Sequence, residues 1–140
     1  MSIPFNKPAY FESSVNELQL SLGSGNISGR GPYTKMCEDW FTDQGLAKNV
    51  LLSTSCTHAL EACALLLDLS GDDEVIVPSY TFVTSALAFL LHGANLRFCD
   101  IRIDTLNIDE QLIEQLITKN TKAIVVVHYA GMACEMDKIM

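Results

Sequence analysis

The sequence predicts an α/β domain built on a mainly parallel sheet with crossover helices. From residue 50 onward, short β-branched apolar runs alternate with longer stretches of helical spacing. Each strand-helix-strand unit takes roughly 20 to 27 residues, which fits a crossover connection. A chain of 140 residues that is 49% hydrophobic also buries one generous core.

Residues 1–49 stand apart. "SLGSGNISGRGPYT" places four glycines and several hydroxyls within 14 residues and reads as a mobile loop. "KMCEDWFTDQ" then reads as a helix ending near Gly45. Residues 50–140 carry the alternation, with strands expected at "VLLS" (50–53), "EVIVP" (74–78), "LRFCDI" (96–101) and "AIVVVHY" (123–129). Helices are expected at 57–68, 82–91 and 109–118. Gly71 and Gly93 follow the first two, and Asn107 and Asp109 precede the third at cap-like positions. "GMACEMDKIM" reads as a loop entering a further helix, so the chain reads as the front part of a larger protein, truncated at 140.

The bulk numbers exclude several classes of function. A net charge of -8, with only nine Lys and Arg, opposes a nucleic-acid or anionic-membrane surface, which needs clustered cations. The apolar stretch "ALAFLL" falls far short of the roughly 20 residues that span a bilayer. "MSIPFNKPAYFESS" lacks the layout of a signal peptide, and five cysteines (37, 56, 63, 99 and 134) are an odd set. The expected home is therefore the reducing cytoplasm.

Ligands of a parallel sheet gather at the carboxyl ends of its strands. "STSCT" would set Ser55, Cys56 and Thr57 at the positive end of a helix dipole, either as a phosphate site or as a plain helix cap. "PSYTF" offers Tyr80 or Phe82 as a stacking surface or as core packing. His128 follows "AIVVV" toward the ligand region, while His92 near a helix end reads as a dipole partner. The histidines and cysteines show no metal-ligand spacing, and the cysteines read as small core hydrophobes apart from Cys56. Asp100, Asp104 and Asp109 match no EF-hand loop and read as a polar turn leading into a capped helix.

The succession "GSGNISGRGPYT", "STSCTHALEACALLLDL", "DEVIVPSYTFVTSALAFLLHGA", "FCDIRIDTLNID" and "VVVHYAGMACEMD" resembles the DegT/StrS-type nucleotide-sugar aminotransferases, over essentially the whole chain. The resemblance implies the N-terminal part of the large domain of a fold-type-I transferase dependent on pyridoxal 5'-phosphate. It assigns the cofactor phosphate to Ser55, Cys56 and Thr57, and the pyridine ring to Phe82. It sets Ser28, Gly29 and Tyr33 at a dimer-related mouth where the nucleotide sugar enters, and His128 and Tyr129 near the substrate. It thus makes 1–49 a substrate and dimer segment and 50–140 the first half of the cofactor domain.

Many relatives carry Gly where this chain has Cys56. The implied reaction moves an amino group from glutamate to the 4-keto carbon of a dTDP-4-keto-6-deoxyhexose, in a homodimer serving the enterobacterial common antigen of the cell surface. The lysine that forms the Schiff base and the aspartate that pairs with the pyridinium nitrogen are expected beyond Met140. None of Lys7, Lys35, Lys48, Lys119, Lys122 and Lys138 has a matching context. Because that lysine acts both as imine partner and as proton carrier, this chain alone is expected not to transaminate. Two rivals stand beside this reading: a catalytically silent relative, and an unrelated phosphate-binding α/β domain.

Overall fold

The computed structural model describes residues 3–4 and 6–140, so part of the N-terminal segment read above for a leader lies outside the described residues. The chain forms two compact units, Met1–Leu52 and Ser53–Met140. Among the described residues no helix is long and apolar enough to cross a membrane.

The first unit holds α1 (Glu12–Gly23) and α2 (Pro32–Asp43). Proline suits the first position of α2, where a helix has no use for the missing amide. Helix α2 thus begins ahead of the expected "KMCEDWFTDQ". The glycine-rich loop shrinks to 24–31, since Ser21–Gly23 finish α1 and residues 32–34 begin α2. Glu38 on α2 receives the Leu52 amide at 3.2 Å and pairs with Arg30 at 3.6 Å.

That contact bears on the first expected strand. Residues 50–53 form no strand. An apolar run becomes a strand only where a neighbour completes its ladder. No such neighbour exists among the described residues, and the Leu52 amide goes to a carboxylate instead.

The second unit begins with α3 (Cys56–Leu66), followed by β1 (Glu74–Pro78), α4 (Thr84–Leu90) and β2 (Asn95–Cys99). After these come α5 (Glu110–Ile113), β3 (Thr121–Ile124) and α6 (Met136–Ile139). The sheet order is β2-β1-β3, and both pairings are parallel. Central β1 is buried on both faces, which is why "VIV" is an unbroken β-branched run. Val75 and Val77 pack with Ala64 of α3 and Ala86, Ala88 and Phe89 of α4. Ile76 points the other way, into a cluster with Cys99, Ile108, Ile113 and Cys134. Cys99 and Cys134 are thus core hydrophobes, as expected, whereas Cys37, Cys56 and Cys63 are exposed.

Three elements differ most from expectation. Strand β3 starts two residues early and leaves the ladder after Ile124, although the Val125 amide still donates to the Ile76 carbonyl at 2.8 Å. Farther along, the central strand offers Pro78, which has no amide to donate. Helix α4 begins at Thr84, leaving Phe82 outside it. Helix α5 gives way to a 3-10 turn at Glu114–Leu116, and Ile117 is extended. There Thr118 draws the chain away: its amide donates to Thr121 Oγ1 at 2.9 Å and its hydroxyl to Glu74 Oε2 at 2.6 Å. Gly93 closes α4 at φ +95°, a conformation costly to any residue with a Cβ.

Asp109 caps α5 by accepting from the Gln111 amide at 3.0 Å, as the sequence indicated. Asp104 pairs with Arg102 at 2.8 Å, and Asp100 accepts from Ser79 Oγ and the Ile101 amide. The aspartates are thus engaged within the polar turn. Beneath that turn Glu110 is buried, with its side chain 2% exposed. Its Oε1 accepts from Lys138 Nζ at 2.9 Å and Arg102 Nη1 at 3.3 Å, which ties α6 to α5. Chiefly through Lys138, and further through Arg102, these cations hold the carboxyl below the ordinary glutamate range.

Candidate functional site

The carboxyl edge of the sheet and the start of α3 gather most of the second unit's candidate residues. Ser55 is extended (φ -160°, ψ 161°) and caps α3 by accepting the His58 amide on Oγ at 3.2 Å. The Ser55 carbonyl takes the Ala59 amide at 3.1 Å. Among the described residues, the amides of Cys56 and Thr57 donate to nothing, and the first turn of α3 holds no acidic side chain. Two open amides at the positive end of an eleven-residue helix, with no acidic side chain in its first turn, are groups from which an anion could accept hydrogen bonds without meeting a repelling charge.

Thr57 Oγ1 donates to Thr84 Oγ1 at 3.2 Å, across 27 residues. This bond sets the beginnings of α3 and α4 side by side. Phe82 precedes α4 by two residues and is 71% exposed, so its ring is available as a surface and is not core packing. Its backbone is fixed independently, since the Phe82 carbonyl accepts the Ser85 amide at 2.9 Å. Thr81 Oγ1 donates to Ser85 Oγ at 3.0 Å, fastening the same turn.

On the far side of the edge, Tyr80 and Tyr129 meet through their hydroxyls at 3.1 Å, with ring centroids 5.1 Å apart. The Tyr80 hydroxyl beside it pushes the Tyr129 phenol above its ordinary value. The Tyr129 amide donates to Asn107 Oδ1 at 2.9 Å, and buried Asn107 reaches the Met132 carbonyl at 3.0 Å. Tyr129 also lines a cleft of about 350 Å³ with Thr105, Leu106 and Met132. His128 lies at this edge, but its Nδ1 accepts the Cys134 amide at 3.1 Å, so that nitrogen serves the following loop. Ala130 and Gly131 are both left-handed there (φ 51° and 82°), turning the chain sharply beneath the tyrosines.

Ser28, Gly29 and Tyr33 belong to the first unit. Ser28 Oγ donates to Asn26 Oδ1 at 3.2 Å, and Gly29 is exposed in the same loop. Tyr33 stands on the first turn of α2, over an apolar groove of about 310 Å³ that it lines with Met36, Cys37, Trp40 and Phe41. The nearby carboxylate of Glu17 raises the Tyr33 phenol above its ordinary value.

Two residues of the α3 site were missed by sequence reasoning. Thr84 follows the same strand end as Phe82, and the rule that ligands gather at strand ends reaches it too. His58 is the third residue of the very helix start singled out.

Comparison with known proteins places the fold. The pattern of the DegT/DnrJ/EryC1/StrS aminotransferase family matches residues 9–140. Spr1654 of Streptococcus pneumoniae, designated a sugar aminotransferase and solved in PLP and PMP forms, is 34% identical with a TM-score of 0.87; the match covers 99% of this chain and 35% of that one. An aminotransferase from Psychrobacter cryohalolentis is 32% identical with a TM-score of 0.88, over 98% of this chain and 35% of that one. The E. coli GDP-4-keto-6-deoxy-D-mannose-3-dehydratase, solved with hydrated PLP, is 27% identical with a TM-score of 0.90, over 99% of this chain and 37% of that one. The chain thus spans about a third of the length of the solved structures it matches.

Proposed function

The chain belongs to the DegT/DnrJ/EryC1/StrS aminotransferase family, and we propose that it supplies the phosphate cradle and ring-stacking surface of an aminotransferase that works with pyridoxal 5'-phosphate. One juxtaposition carries this reading. The open amides of Cys56 and Thr57 begin α3, and the Thr57–Thr84 bond sets beside them the turn that presents Phe82. A phosphate monoester fits the first feature and a planar pyridine ring the second.

When bound, the cofactor supplies an electron sink for bonds at the amine-bearing carbon. This chain's residues bind and orient. The Cys56 and Thr57 amides and the Ser55 hydroxyl hold the phosphate, the Thr57 hydroxyl joins them once the Thr84 hydroxyl donates to it in turn and frees its proton, and Phe82 packs on the ring. His128 and Tyr129 border the substrate. Ser28, Gly29 and Tyr33 form the mouth completed by a second copy in a homodimer. In this reading residues 1–49 are the substrate and dimer segment, and residues 50–140 are the first half of the cofactor domain.

The proposed reaction takes an amino group from glutamate to the 4-keto carbon of a dTDP-4-keto-6-deoxyhexose, in the cytoplasm, on the route to the enterobacterial common antigen. Three of the chain's six lysines are held in ion pairs. Lys35, Lys122 and Lys138 are engaged by Asp39, Asp73 and Glu110. Glu110 raises the Lys138 ammonium above its ordinary value, opposite to what a nucleophilic lysine needs. In this reading the imine-forming lysine comes from outside residues 1–140, and these residues alone do not transaminate.

The likeness to a dehydratase supports a second reading, removal of a sugar hydroxyl in place of amino transfer. Product mass separates them when the full-length protein is given cofactor, glutamate and the keto sugar. An amino sugar upholds the first reading, and a deoxy sugar upholds the second. Cofactor uptake with neither product indicates a silent relative, and no uptake overturns the proposal.

A further inference from the structure

His58 has no role in the assignment above, yet it is bonded twice at the start of α3. Its amide donates to Ser55 Oγ at 3.2 Å, and its ring Nδ1 shares a 2.5 Å hydrogen bond with Thr54 Oγ1, on the residue before the cap. Ser53 Oγ donates to the Ser55 carbonyl at 2.8 Å, so the approach to the helix is bonded at Ser53, Thr54 and Ser55.

The pattern is a variant of the capping box, in which the cap's side chain holds the third amide while the third residue's side chain reaches back to the cap's own amide; here the ring reaches one residue farther, to the Thr54 hydroxyl. That reach is usually made by Glu or Gln. A glutamate here would set a negative charge beside the amides of Cys56 and Thr57 and repel an arriving anion. The imidazole makes the reach without that charge, and the first turn of α3 stays free of acidic side chains.

We propose that His58 is a positioning residue for a bound phosphate monoester. Through Thr54 it holds the bend at residues 54–55 from which the two open amides of the first turn emerge. The inference rests on the reading that α3 begins at the phosphate of pyridoxal 5'-phosphate.

The test uses the full-length protein, titrated with pyridoxal 5'-phosphate by fluorescence quenching, with the ³¹P resonance of the bound phosphate as a second readout. His58→Leu is expected to weaken binding roughly 3- to 10-fold, the worth of one hydrogen bond, and to shift the ³¹P resonance. His58→Gln, which still reaches the Thr54 hydroxyl, restores affinity. Thr54→Val reproduces the loss, and the double variant loses no more than either single one.

Wild-type affinity in His58→Leu overturns the proposal, as does a double variant whose loss is the product of the singles. Should His58→Leu fail to fold, Thr54→Val decides by the same two readouts. Thr57→Val separates this inference from its premise. If Thr57→Val binds as wild type, the phosphate reading itself falls. If it weakens binding while His58→Leu does not, only the role of His58 falls.

Discussion

Replacing Phe82 with alanine separates a ligand surface from a packing residue. The ring is 71% exposed, while its backbone is held by the Ser85 amide, so removing the side chain disturbs little of the fold. A phenylalanine has about 200 Å² to bury, of which about 140 Å² remains open here. A stacked pyridine covers about half of that, roughly 70 Å², worth about 1.8 kcal/mol at about 25 cal/mol per Å². Phe82→Ala should therefore weaken cofactor binding on the order of 20-fold in the full-length protein, measured by titrating the apoprotein and following absorbance. The unfolding free energy from urea denaturation should change by less than about 0.5 kcal/mol, as at other surface positions. Phe82→Trp should retain binding. Unchanged affinity in Phe82→Ala, or a loss matched by an equal loss of folding stability, refutes the stacking role.

Thr57→Val removes a hydroxyl from the cradle and should cost about 1.5 to 3 kcal/mol of cofactor affinity in the same titration. Ile76, wholly buried between two strands, should cost about 2 to 5 kcal/mol of stability as Ile76→Ala, read from chemical denaturation. Gly93→Ala forces a Cβ into a left-handed conformation and should cost about 1 to 2 kcal/mol by the same measurement. The Glu110 carboxyl is depressed in the fold, so the unfolded chain takes up its proton first as pH falls. Its contribution is complete above the ordinary glutamate value of about 4.3 and fades below it. A melting series across that range should show a shallower slope in Glu110→Gln than in wild type.

The parallel sheet was legible because its central strand announces itself. "EVIVP" is buried along β1, and its short length, β-branched content and flanking turn signals favour a strand where periodicity alone would not. "VLLS" carries the same apolar signal, but composition does not reveal whether a partner is present to complete a ladder. Strand β3 was misjudged for a related reason: its end is set by Pro78, a residue on another strand. At the candidate site, the Ser55 cap followed from rules local to one helix start. The Thr57–Thr84 and Tyr80–Tyr129 contacts join residues 27 and 49 apart, and helical or strand spacing carries no record of them. His58 was within reach of local reasoning. A capping-box rule confined to Glu and Gln passes over an imidazole that reaches back to the residue before the cap.

The order β2-β1-β3 also bears on synthesis. Both neighbours of the central strand lie downstream of it, so Glu74–Pro78 leaves the ribosome with neither side paired. The first neighbour follows about 20 residues later and the second nearly 50. At about 5 to 20 residues per second, the most apolar strand waits several seconds for its second flank. Through that interval the nascent chain presents a β-branched segment with open backbone on both sides, the kind of surface that chaperones shield. Slowing translation between residues 78 and 121 would lengthen the wait and raise the aggregated fraction.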